Sequence, residues 1–105
     1  MIHVIASIYI KDGRMPDVLK IYKGFTSKVN QEEGCLQYLP TLDHQTDIAT
    51  QVQESNVVTV IETWEDMAVF KAHLNAPHVI QFREDIKGIV EKVSIKVLTD
   101  ALAQD

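Results

Sequence analysis

Apolar and polar residues alternate from Ile2 to Ile10, with Ile2, Val4, Ala6, Ile8 and Ile10 on one side and His3, Ile5, Ser7 and Tyr9 on the other. A period of two is that of a strand, and here both of its faces are partly apolar. Lys11-Asp12-Gly13-Arg14 breaks the pattern, and Pro16 suits a first helical turn. Val18, Tyr22, Phe25 and Val29 then recur at spacings of four, three and four, which predicts an amphipathic helix from about Met15 to Glu32. Gly34 is placed to end that helix. Cys35 to about His44 reads as a second extended stretch carrying Leu36, Tyr38, Leu39 and Leu42, and Pro40 makes it irregular or an edge. Thr46 to Asn56 is polar and without a clean period, which predicts a loop and leaves a strand extension over Ile48 to Val52 open.

Val57-Val58-Thr59-Val60-Ile61, continuing through Glu62, Thr63 and Trp64, is the most β-prone segment and predicts a central strand. Glu65 and Asp66 suit the positive end of a helix dipole, and Met67, Phe70 and Leu74 follow at helical spacing. Pro77 opens another helical pattern, with Val79, Phe82, Ile86 and Ile89 facing inward, so two consecutive helices are expected, broken near Asn75 to Pro77. A last strand over about Lys92 to Leu98 alternates Val93, Ile95 and Val97 with Ser94, Lys96 and Leu98. The order β-α-β-β-α-β folds most naturally into a ferredoxin-like α+β domain: one antiparallel four-stranded sheet with helices on one face. Residues 1–98 form that single domain and 99–105 a tail. Large apolar residues are left on the sheet face without helices, which predicts a homodimer pairing sheet against sheet.

Composition narrows the possibilities. With 105 residues, 46% hydrophobic and 24% charged, there is material for one core and no second domain. The formal charge of −5 is spread along the chain, so neither nucleic acid nor an anionic membrane is an expected partner. The single cysteine, Cys35, allows no intrachain disulfide and suits a reducing compartment, hence a cytoplasmic location. No apolar run approaches the roughly 18 residues of a membrane span, and Met1 leads into an alternating apolar segment without the basic n-region or small-residue cleavage site of a secretory signal.

Chemistry concentrates in two places. Glu32-Glu33-Gly34-Cys35-Leu36-Gln37-Tyr38 occupies the first helix-to-strand turn, and Glu62-Thr63-Trp64 ends the third strand before a helix carrying His73 and the turn Asn75-Ala76-Pro77-His78. On the E-x-G-C-x-x-Y and E-x-W patterns in this order, over residues 2 to about 98, the chain resembles the antibiotic biosynthesis monooxygenase family, small dimeric α+β barrel proteins that include quinol monooxygenases. It departs from the commonest family pattern at Glu33, where a proline often precedes the glycine.

The resemblance implies oxygenation by dioxygen of a small electron-rich aromatic, a phenol, quinol or anthrone, without metal, flavin or haem. In that scheme a base removes a proton, the anion passes an electron to dioxygen, and a peroxide collapses to quinone and water. His73 is the first candidate for base or hydrogen-bonding partner, because an imidazole titrates near neutrality. Glu62, set among Val60, Ile61 and Trp64, is a second base if burial raises its pKa, and otherwise a structural hydrogen-bonding group. Tyr38 is a candidate donor to the substrate oxygen, Trp64 a surface for a flat ring, and Phe70 a candidate contact, with ordinary packing as the competing role of the aromatics. Ser7, sharing a strand face with Tyr9, is a candidate substrate contact or else belongs to the dimer contact, since the sequence does not say which way that face points. Cys35 has no activating neighbour in sequence and reads as a small packing residue. The four histidines show no H-x-x-x-H or H-E-x-x-H spacing, so no metal site is expected. Haem degraders of this fold carry their tryptophan on the helix after the third strand, where this chain has His73 and no tryptophan. Two other readings compete with the monooxygenase: an isomerase that shuttles protons without oxygen, and a non-catalytic dimer that holds a hydrophobic ligand.

Overall fold

The computed structural model describes residues 1–103. Strand β1 (Ile2–Ile10) leads to helix α1 (Met15–Asn30), then come strands β2 (Cys35–Thr41) and β3 (Val57–Trp64), helices α2 (Met67–Leu74) and α3 (Pro77–Ile86), and strand β4 (Val90–Leu98). The strands form one sheet in the order β2-β3-β1-β4, and each neighbouring pair is antiparallel. This is the expected ferredoxin-like α+β plan. The two most β-prone segments, β1 and β3, pair centrally, and Pro40 lies in edge strand β2. No strand forms in 42–56, where the polar sequence lacks a period that would bury one side.

Register places one set of side chains under the helices. Val4 lies opposite Glu62, Ala6 opposite Val60, and Ile8 opposite Val58. These positions pack against Val18, Tyr22, Phe25 and Val29 of α1, Phe70 of α2, and Val79, Phe82 and Ile86 of α3. Because the pleat repeats every two residues, the burial of Val58, Val60 and Trp64 on that face takes Glu62 inside with them. The helices do not extend over β4, so Val93, Ile95 and Val97 remain exposed although they share the face of Val4 and Ala6. On the opposite face Leu39 and Ile61, cross-strand neighbours, are exposed.

Three boundaries differ from expectation. The first helix ends at Asn30 rather than Glu32, because the chain turns tightly through Gln31–Gly34, where Gly34 has φ +81°. A Cβ there would come within 2.6 Å of the Val69 side chain, so both the backbone angle and the approach of α2 require glycine. The turn frees Glu32 from the helix. Strand β2 stops at Thr41, short of His44, and β4 starts at Val90, ahead of Lys92. Asp66 sits at the positive end of α2 as expected, and there its side chain also caps the helix by accepting the Val69 N–H at 2.9 Å. Residues 104 and 105 of the expected tail lie outside the described residues. Among the described residues no helix is long and apolar enough to cross a membrane.

Candidate active site

Between the helix-covered face of the sheet and α1, α2 and α3 lies a cavity of about 150 Å³. Its walls are mostly apolar, from Val4, Ala6, Phe70 and Phe82 among others, and its polar groups are Glu62, His73, Tyr22, Tyr38 and Arg83. Tyr38 is opposite Glu62 in the sheet, so one strand pair delivers both to the cavity. His73 arrives from α2, which Asp66 and the Gly34 turn hold against the end of β3.

Glu62 is 5% exposed, and its Oε1 accepts the indole N–H of Trp64 at 3.0 Å. Burial pushes its carboxyl up to about 7; the Trp64 bond opposes the rise and the negative charge of Glu32 adds to it. Near neutrality this carboxyl can therefore take or give a proton. His73 is 6% exposed, and its Nδ1 lies 2.8 Å from Oε2 of Glu32. That same oxygen is 2.7 Å from Nε2 of His78. Burial lowers the His73 pKa, Glu32 pulls it back up, and His78 and Arg83 press it down again. The net direction leaves a neutral imidazole at neutral pH. Its Nε2 has no protein partner, and no buried polar side-chain atom among the described residues is left unbonded, so this nitrogen opens to space a water can reach. Tyr22 and Tyr38 are both held protonated, chiefly by burial, which makes each a hydrogen-bond donor throughout the neutral range. The cavity thus brings two bases and two O–H donors to one apolar space. Such a set can deprotonate a hydroxyl and stabilise the oxyanion that results.

The structure brings His73, Glu62, Tyr38 and Phe70 together, as their placement in sequence suggested. Two expectations need correction. Ser7 lies opposite Thr59 and Ser94 on the sheet face away from the helices, because its parity in β1 is that of His3 and Ile5. Trp64 is fully buried and does not line the cavity. Its ring is taken up by His73, 4.6 Å between centroids, and by Phe70 at 5.9 Å, so it backs these two side chains and donates to Glu62 rather than serving as a stacking surface. Sequence reading did not single out Tyr22, Arg83 or the carboxylate of Glu32. Tyr22 and Phe25 looked like any helix core positions, while Glu32 gave a signal only as part of the E-x-G-C-x-x-Y turn. Cys35 is half-buried, and burial with the charges of Glu32 and Glu62 pushes its thiol up to about 11, so it is not ionised at neutral pH. Among the described residues no group of three or more His, Cys, Asp or Glu is arranged to hold a metal ion.

The chain is 33% identical over 100 residues to a protein of Escherichia coli (strain K12) named probable quinol monooxygenase YgiN, covering 93% of this chain and 96% of that one. The fold is shared with PA3566 from Pseudomonas aeruginosa, at TM-score 0.79 and 24% identity over 94% of this chain and 92% of that one. It is also shared with Rv0793 from Mycobacterium tuberculosis, at TM-score 0.80 and 14% identity over 99% and 98% of the two chains. The model of the family described as antibiotic biosynthesis monooxygenase matches residues 1–85, which include every polar group of the cavity. The chain belongs to the antibiotic biosynthesis monooxygenase family.

Proposed function

We propose that the protein is a cofactor-independent monooxygenase that oxidises a phenol or quinol with dioxygen inside this cavity. The observation that carries the reading is the pair of bases, His73 and Glu62, beside two protonated phenols in an apolar space. A phenol titrates near 10 and a free histidine near 6.5, so taking the proton onto His73 is uphill by at least about 5 kcal/mol in water. The Tyr22 and Tyr38 phenols hydrogen-bond to each other at the cavity wall, and an O–H donated from this pair to the new oxyanion offsets much of that cost in a water-poor site.

The steps balance with dioxygen as sole oxidant. His73 Nε2 accepts the phenolic proton, and the phenolate transfers one electron to dioxygen. The resulting radicals join through a C–O bond at a hydrogen-bearing ring carbon ortho or para to the oxygen, and His73 returns its proton to the terminal oxygen. Glu62 then removes the hydrogen from that carbon while the O–O bond breaks, a second carbonyl forms, and the departing hydroxide takes the proton from Glu62. One phenol and one dioxygen give one quinone and one water.

Size narrows the substrate. The mostly apolar space of about 150 Å³, open on the side of exposed Val93 and Ile95, is on the scale that holds a benzene ring. A single-ring phenol or hydroquinone therefore fits, with substituents leading out past Val93 and Ile95, which line the cavity and are exposed. The reading includes a homodimer, in which a second copy covers Leu39 and Ile61 on the outer sheet face.

Oxygen uptake by the metal-stripped protein, measured with a panel of hydroquinones, naphthols and anthrones against protein-free autoxidation, tests the proposal. Uptake above the control, lost in His73→Ala with the fold intact, is expected. Turnover that continues under strict anaerobiosis would replace the monooxygenase with an isomerase. Ligand-induced stabilisation with no product from any compound would make the cavity a binding site only.

A further inference from the structure

Outside the cavity, between α1 and α3, runs a groove of about 270 Å³ lined by Gly24, Lys28, His78 and Asp85 among others. Phe25 and Phe82 line both spaces, with rings stacked 4.0 Å apart and 12° from parallel, so this pair is the partition between cavity and groove. One polar connection passes beside it: His73 on the cavity side and His78 on the groove side share Oε2 of Glu32. The side chains are 7%, 25% and 13% exposed for His73, His78 and Glu32, so the bridge is largely sheltered and its outer end is wet.

A carboxylate only accepts hydrogen bonds, so each ring must present an N–H to it. For His73 that nitrogen is Nδ1, which places the lone pair on Nε2, the atom without a protein partner. A free neutral imidazole favours neither tautomer strongly, and the other one would put an N–H where the reaction needs a base. We propose that Glu32, anchored by His78 from the outer groove, is a positioning residue that holds His73 in the Nδ1–H tautomer and so keeps Nε2 open to the substrate proton. The role deepens the monooxygenase reading and rests on it for its kinetic consequences, but the tautomer itself does not.

The charged and titratable groups around His73 are Glu32, His78 and Arg83, with Glu62 and Tyr38 across the same cavity. Glu32 favours the imidazolium and His78 opposes it. Removal of either therefore moves the acid limb of kcat/KM, and in opposite directions. A residue that only packs would not do this.

The test is ¹⁵N NMR of histidine-labelled protein together with oxygen-uptake kinetics on the wild type, Glu32→Leu, Glu32→Gln and His78→Leu. The wild type should show His73 protonated at Nδ1 and bare at Nε2 at pH 8. Glu32→Leu should give mixed tautomers, with kcat down roughly two- to five-fold, the share of His73 left in the wrong tautomer when neither is strongly favoured, KM little changed, and the acid limb moved to lower pH. Glu32→Gln, whose carbonyl still accepts, should retain the tautomer. His78→Leu should loosen the tautomer partially and move the acid limb to higher pH, and it keeps the proposal falsifiable if Glu32→Leu does not fold. A wild-type His73 protonated at Nε2, or a tautomer indifferent to Glu32→Leu and His78→Leu, overturns the proposal. The expected tautomers without any oxygen uptake by the wild type overturn the monooxygenase reading and support the histidine arrangement.

Discussion

Glu62→Gln should make the protein more stable and less active, and the gain should depend on pH. The wild-type carboxyl is buried in the folded chain and sits at about 7, against an ordinary value of 4.5. Holding it there costs the charged form about 3 kcal/mol. The sign follows from linkage: the native state keeps the proton to higher pH than the unfolded state, so stability falls as pH rises from about 4.5 to 7 and levels off above it. Glutamine keeps an oxygen for the Trp64 N–H, which lies at 3.0 Å in the wild type, and has no charge to desolvate. The two proteins should therefore unfold alike near pH 4 and diverge to about 3 kcal/mol by pH 8. In urea this is a midpoint shift on the order of 2 M. Unfolding should be followed at one protein concentration, because association would stabilise both. The difference between variants isolates Glu62 from the other titrating groups. A gap that is the same at pH 4 and 8, or a variant less stable than wild type at pH 8, would refute the reasoning. Oxygen uptake completes the test, since a variant that gains stability and keeps full turnover would show that the carboxyl is only structural.

Other substitutions probe separate parts of the molecule. His73→Ala should abolish oxygen uptake above autoxidation while leaving the circular dichroism spectrum unchanged; retained uptake would remove His73 from the reaction. Single-ring hydroquinones should give higher kcat/KM than three-ring anthrones, because the cavity of about 150 Å³ has room for one ring; the reverse order would mean that the cavity widens around its substrate. Gly34→Ala should lower stability by about 2 to 4 kcal/mol in denaturant, from the positive φ and the contact with Val69, and Val69→Ala should restore only the packing part. Asp66→Ala should cost about 1 kcal/mol, the typical price of a lost N-cap, and an unchanged melting curve would show that α2 is held by its packing alone.

Much of this protein is written in local pattern. The period of two in Ile2 to Ile10 and Val57 to Trp64, and the helical spacing of Val18, Tyr22, Phe25 and Val29, determine the elements, since each must bury one side. Their order then leaves the ferredoxin-like plan as the natural solution. His73, Glu62, Tyr38 and Phe70 were visible as candidates because each lies on an element whose inner side could be inferred. Tertiary structure decided what those residues touch. Ser7 and Ala6 are neighbours in sequence, yet only packing shows which parity faces the helices. Trp64 offered an aromatic ring to the eye, and the fold spent both its ring and its N–H on His73, Phe70 and Glu62. Glu32 reaches His73 across 41 positions and His78 across 46, separations at which no sequence period operates. Periodicity constrains which side of an element is buried; the partner across a cavity depends on how elements from distant parts of the chain dock, and that is set by the packing of the whole core.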